Sequence, residues 1–270
     1  MLNDITIGQF FPGNSVIHRM DSRFKIVLEI VYVVMLFISS NFWGLGIACL
    51  FMVMVYAASG ISFRMILKSL KPVLPIILFT AILNLIFVKD TEALPLVEFW
   101  IISIYGKGVE TSVFMVLRIV FLIIGMSLLT YTTSPIVLTD AIESLLSPLK
   151  KIRFPVHELA MMMTIALRFI PTLIEETNKI MMAQKARGAA LDSGGLISRA
   201  KAMIPILIPL FISAFKRANE LATAMECRCY RGGEGRTKLR VLKATKIDFL
   251  ASGLCICVLG IIIINNVVFG

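Results

Sequence analysis

The sequence predicts an all-α integral membrane protein: a bundle of about five transmembrane helices joined to long, kinked helices on the cytoplasmic side. Three observations carry this. Hydrophobic residues make up 58% of the 270 and charged residues 16%, with a mean hydropathy of +0.88, against roughly 45–50% and about 25% in soluble domains. Apolar runs close to the length of a bilayer crossing recur along the chain. The net charge of +10 is also concentrated: residues 134–245 hold seventeen Lys/Arg against nine Asp/Glu, and the rest of the chain holds ten against eight.

The first 22 residues are polar and turn-rich, so no cleavable signal peptide is expected, and the membrane segments themselves do the targeting. Spans are expected near 24–40, 42–59, 72–88, 112–132 and 247–267. The first two are short and share a tight link at residues 39–41. Arg19, Arg23 and Lys25 precede the first span, and Arg64, Lys68 and Lys71 lie between the second and third. Residues 89–110 are acidic, with Asp90, Glu92, Glu98 and Glu110 against Lys89 and Lys107. Cytoplasmic loops carry the excess of Lys and Arg. The N-terminus and 134–245 are therefore placed inside, and 89–110 and the C-terminus outside. Five crossings satisfy these assignments, and further shallow crossings in pairs also fit. Three regions follow: a membrane domain at 1–133, a cytoplasmic helical domain at 134–245, and a C-terminal transmembrane helix at 246–270.

Within 134–245, Ser134 and Pro135 open a segment reaching Leu149. Pro155 suits the first turn of a long helix, which Pro171 should kink. The apolar run of that helix, 159–167, is closed by Arg168, and Gly194-Gly195 breaks the chain. A third segment follows, with Pro205 and Pro209 inside the apolar run 202–215. Apolar runs of 10–14 residues read as buried or interfacial helices. Two long, bent, amphipathic helices at the cytoplasmic membrane surface are predicted.

The two helices end alike, at an offset of 41 residues: Asn178, Ala183, Ala186 and Arg187 match Asn219, Ala224, Cys227 and Arg228. Glycine-bearing stops follow, LDSGG in one and YRGGEG in the other. Cys227 and Cys229 are two residues apart, which points them in different directions on a helix. With two histidines in the chain, His18 and His157, and no second cysteine pair nearby, no metal is expected. The glycines match no phosphate-binding fingerprint, and they follow a helix C-terminus, the wrong pole for an anion. No cofactor, catalytic residue or nucleic-acid partner is expected. Arg187 and Arg228 read either as cations suited to the helix dipole and to lipid headgroups, or as forked donors for a partner protein. Their small neighbours, Ala186 and Gly188, Cys227 and Cys229, would let a partner backbone approach. Arg118 is costly inside the fourth span unless paired or turned inward, and it reads either as a structural partner of a Glu or a backbone carbonyl or as a substrate-facing residue. The methionines 161–163, 181 and 182 are read as packing or as a deformable surface for exchangeable partners.

These residues resemble a known family, the transmembrane T component of energy-coupling factor (ECF) transporters. PGNSVIHRMDSRFK at 12–25 looks like that family's opening. ALRFIPTLIEETNKIMMAQKARG at 166–188 resembles a coupling helix carrying the family's first Ala-Arg-Gly signature. ECRCYRGGEGRTKL at 226–239 resembles the second signature and its tail, with Cys-Arg-Cys in place of Ala-Arg-Gly. The resemblance covers most of the chain. It implies a multi-pass protein of the bacterial cell membrane joining two cytosolic ABC-type ATPase subunits to a substrate-binding S component in the lipid bilayer. It further implies that Arg187 and Arg228 dock into grooves on the two ATPases, with ATP hydrolysed in those partners and not in this chain.

Three other readings stand beside it. A T component dedicated to a cobalt, nickel or biotin importer differs from a shared vitamin-type component; the RGGEGRT tail is closer to the shared type. A membrane enzyme acting on lipid would need clustered acids, histidines or nucleophiles. Asp140 with Glu143, and Glu175 with Glu176, are the nearest pairs, and neither is expected to have a companion histidine. A self-contained channel or carrier is disfavoured by few intramembrane charges and no inverted repeat of spans.

Overall fold

A computed structural model describes residues 10–88, 97–99, 102–152, 154–189, 195–232 and 242–269. Over these residues the fold is all-α apart from one short hairpin, and the chain divides into two compact units. One comprises residues 8–141 and 242–270; the other is built from residues 142–241, and the division falls within one helix.

The first unit holds α1 (Val16–Arg19), α2 (Ser22–Ile38), α3 (Phe42–Ser59), α4 (Phe63–Leu70), α5 (Leu74–Phe87), α6 (Gly106–Thr132), most of α7 (Pro135–Leu146) and α10 (Lys246–Phe269). Between α5 and α6, strands β1 (Val97–Phe99) and β2 (Ile102–Ile104) form an antiparallel hairpin with Val97 opposite Ile104. Helices α2, α3, α6 and α10 enclose the core. Tyr32, Met35 and Leu36 meet Leu45, Ala48 and Met52, Leu128 and Tyr131, and Cys255 and Ile262. Gly125 of α6 makes room for this packing: a Cβ there would lie 2.7 Å from Glu29 Oε1 and 3.0 Å from Tyr32.

Polar residues tie the ends of these helices together. Asp21 caps α2 by accepting from Arg23 N at 2.9 Å, and its own N–H donates to Asp248 Oδ1 at 2.9 Å. Asp248 is fully buried and also accepts from the amide and hydroxyl of Thr245. Lys25, itself buried, donates to Thr132 O at 3.1 Å and Thr133 Oγ1 at 3.2 Å, closing the C-terminus of α6. The opening segment at 12–25 thus joins α2, α6 and α10 at one end of the bundle. At the link between α2 and α3, Arg118 donates to Ser39 O at 2.7 Å, with its guanidinium over the rings of Phe114 and Phe37. Asn266 donates to Ile38 O and accepts from Ser40 N. The intramembrane arginine therefore satisfies a free carbonyl beyond a helix end, one of the two roles the sequence left open.

Among the described residues, five helices are long and apolar enough to cross a membrane: α3, α6, α10, Val156–Ala186 and Ala200–Cys227. The pair α4 and α5, bent by 64° at the break, makes a sixth if it forms one span. Helix α2 has seventeen residues, about 25 Å of rise, and falls just short of a hydrocarbon core of about 30 Å.

The second unit holds a 3₁₀ turn (Ser147–Ile152), α8 (Val156–Ala186) and α9 (Leu196–Cys227). Pro155 and Gly195 stand at the N-caps of the two long helices. Helix α8 continues through Pro171, and α9 through Pro205 and Pro209. The prolines interrupt hydrogen bonds without ending the helices.

Candidate functional site

Helices α8 and α9 finish with the same backbone geometry. Arg187 is the C-cap of α8, at φ −83° and ψ 4°, and Arg228 is the C-cap of α9, at φ −93° and ψ 15°. The next residue in each turns left-handed: Gly188 at φ +87° and Cys229 at φ +53°. Two further hydrogen bonds close each end. Gly188 N donates to Lys185 O at 3.0 Å and Ala189 N to Gln184 O at 3.0 Å. Cys229 N donates to Glu226 O at 2.9 Å and Tyr230 N to Met225 O at 3.0 Å. This is the Schellman arrangement, in which a left-handed residue lets the chain fold back onto orphan carbonyls. The 41-residue repeat of the sequence is thus a repeat of structure.

Here the structure corrects the sequence reading. The glycines of YRGGEG do not stop α9; Cys229, three residues before the first of them, does. It is the sole non-glycine residue at positive φ among the described residues. Gly233 and Gly235, and residues 191–194 of the LDSGG stretch, lie outside the described residues.

Ala186, Arg187 and Gly188, like Cys227, Arg228 and Cys229, are exposed. Neither guanidinium makes a hydrogen bond or ion pair among the described residues, although both backbone N–H groups are bonded into the helix ends. Each helix end therefore presents a free guanidinium between small residues, in the negative field of a helix C-terminus. Cys227 and Cys229 are free thiols.

Between the two ends, α8 and α9 are clamped. Glu176 of α8 accepts from Arg217 Nη2 at 3.0 Å and, through its other oxygen, from Ser213 Oγ, both on α9. Further along, Tyr230 Oη donates to Met161 Sδ at 3.0 Å. From the clamp, α8 reaches this second contact backward along the chain and α9 reaches it forward, so the helices run antiparallel. Arg187 and Arg228 consequently lie at opposite ends of the pair. Met162, Met163 and Met182 are exposed. So are Ile204, Ile208, Phe211 and Phe215, a stripe on α9 spaced three to four residues apart.

A second correction concerns the acids. His157 Nδ1 stands 3.0 Å from Glu143 Oε1, so Glu143 does have a companion histidine, brought to it by the turn between α7 and α8. Glu176 has a salt-bridge partner in Arg217.

The chain is similar to known proteins along its whole length. A family model described as CbiQ, cobalt transport protein, matches residues 13–239. The chain is 51% identical over 270 residues to the energy-coupling factor transporter transmembrane protein EcfT of Ruminiclostridium cellulolyticum, covering 100% of both. It is 55% identical over 259 residues to the protein of the same name from Clostridium kluyveri, covering 96% of this chain and 95% of that one. With the Bacillus subtilis protein of that name, identity is 46% over 248 residues, covering 92% and 93%.

Proposed function

The chain belongs to the CbiQ family of energy-coupling factor transporter transmembrane proteins, and from this we propose that it couples ATP hydrolysis in partner subunits to vitamin import. In this reading, two cytosolic ABC-type ATPases grip Arg187 and Arg228, one at each end of the α8–α9 pair. An exchangeable substrate-binding S component sits against the scaffold in the bilayer. The observation that carries the reading is the pair of like-capped helix ends, each exposing an arginine side chain that has no partner among the described residues. A guanidinium is always charged and offers a planar fork to carboxylates or backbone carbonyls in a groove. Two such points, of like geometry and at opposite ends of one helix pair, suit two like subunits.

The mechanism is mechanical. ATP closes the two ATPases, and their grooves carry the helix ends with them. The motion turns α8 against α9 and rearranges the apolar faces they present, including the stripe from Ile204 to Phe215. The S component then reorients and releases its substrate inside. The basic surplus of residues 134–245 supports a cytoplasmic position for these helix ends, and Arg19, Arg23 and Lys25 support the same side for the N-terminus.

A second reading, a component dedicated to one metal importer, draws on the description of the matching family as cobalt transport. Co-expression separates the two. The tagged chain, expressed with candidate ATPases and several S components, is expected to purify with two ATPase copies and with vitamin-binding S components in turn. Purification with a single cobalt-specific partner favours the dedicated reading. If no ATPase binds, the coupling role fails.

A further inference from the structure

We infer that Glu176 and Arg217 form the fulcrum on which the two ends of the helix pair are balanced. The inference rests on the coupling role proposed above. The chain offset between Glu176 and Arg217 is 41 residues, the same as between Arg187 and Arg228 and between Gly188 and Cys229. In a pair of helices related by a local two-fold, only residues on the axis meet their own equivalents. Glu176 and Arg217 are equivalents and they meet, at 3.0 Å. The ion pair therefore marks the axis of the internal repeat.

Equal arms follow. From Glu176 to Arg187, and from Arg217 to Arg228, is eleven residues, about 16 Å of helix each. The two ends stand at equal distance on either side of one contact, so a push of the same size on each is transmitted evenly. The clamp is built to hold direction as well as distance. Both oxygens of Glu176 are engaged, one by Arg217 and one by Ser213, which lies one turn earlier on α9. The charges are half-buried, with side chains 39% exposed for Arg217 and 22% for Glu176. A joint of this kind resists sliding of one helix along the other and permits rotation about the contact. In this reading Glu176 and Arg217 are positioning residues, which act through the helix ends.

The test uses the assembled transporter, with ATPases and an S component, reconstituted in lipid vesicles. Substrate imported and ATP hydrolysed are measured together. Glu176→Gln and Glu176→Arg are expected to keep both ATPases bound and to lower substrate imported per ATP by roughly fivefold or more. The exchange Glu176→Arg with Arg217→Glu, which rebuilds the ion pair in reverse, is expected to restore most of that ratio. Ser213→Ala should fall between. An unchanged ratio in the single variants, or no recovery in the exchange variant while it purifies as an intact complex, overturns the fulcrum. Loss of ATPase binding by the wild-type chain would instead remove the coupling role beneath it, so the two failures are distinguishable. If the exchange variant does not assemble, Glu176→Gln alone decides, since it keeps the hydrogen-bonding shape and removes the charge.

Discussion

Arg217 Nη2 lies 3.0 Å from Glu176 Oε2, and the same 41 positions that separate this pair in the chain separate Arg228 from Arg187. A sequence repeat, an interhelical contact and two helix ends are thereby bound into one arrangement. Predictions about the ends can be separated from predictions about the bundle, since the two draw on different residues.

The arginines at the helix ends should matter little to the isolated chain. They are exposed, and their side chains pair with nothing among the described residues. Exposed substitutions away from such features change stability by about 0.5 kcal/mol or less. Arg187→Ala and Arg228→Ala should therefore leave thermal unfolding of the detergent-purified chain nearly unmoved. A large fall in unfolding temperature would mean that these side chains hold the fold.

Cys229 carries a conformation that glycine adopts freely, at φ +53°. The left-handed region costs an L-residue about 1–2 kcal/mol, while glycine loses more freedom on folding. Cys229→Gly should therefore gain about 0.5–1 kcal/mol net, read as a higher unfolding temperature. The same change makes the second helix end more like the first. A fall in stability would show that the thiol makes a contact worth more than the strain.

Gly108 sits where α6 meets α5. A Cβ there would stand 3.0 Å from Val88 O and 3.3 Å from Leu85 O, both backbone atoms that cannot swing aside. Gly108→Val should destabilise by about 1–3 kcal/mol through overpacking. Gly253 of α10 has nothing within 4 Å of its would-be Cβ, so Gly253→Ala should be neutral or gain up to about 1 kcal/mol of helix propensity. Thermal unfolding of the two variants side by side checks the contrast.

Asp248 is buried and accepts from Asp21 N, Thr245 N and Thr245 Oγ1. Asp248→Ala strands these donors and should cost about 2–4 kcal/mol. The neighbouring Asp21 gives a pH signature. Burial pushes its carboxyl up, but hydrogen bonds and charge from Arg23 outweigh this and hold it below the usual carboxylate range. A folded value below the unfolded one adds stability above the ordinary carboxylate range, and that stability is lost as pH falls through the folded value. Arg23→Gln should flatten this acid limb of the stability profile. An unchanged limb would mean that Asp21 is not held by Arg23.

Much of the arrangement was legible in the sequence, because local chemistry wrote it. Pro155 and Gly195 mark the starts of α8 and α9, and the Asn, Ala and Arg matches mark their like ends. The residues that join the helices were not legible. Glu176 and Arg217 are 41 positions apart, and nothing local to either names the other. His157 meets Glu143 because a 3₁₀ turn between them brings the two side chains together. Arg118 finds Ser39 O across the bundle. Cys229 escaped notice because cysteine has no preference for left-handed backbone, while three nearby glycines do. Helix α4 is not legible because eight residues give too short an apolar pattern, so Arg64 and Lys68 read as part of a basic link between two spans and not as a helix bent by 64° from α5.

The central claim is that Arg187 and Arg228 are the points by which ATPases hold this chain. The most direct test co-purifies ATPase subunits with the tagged wild-type chain, with each single alanine variant, and with the double variant. Two ATPases are expected on the wild type, weakened retention on each single variant, and none on Arg187→Ala with Arg228→Ala. Undiminished binding of both ATPases to an intact double variant would contradict the claim and return the two arginines to the role of helix-end charges facing lipid.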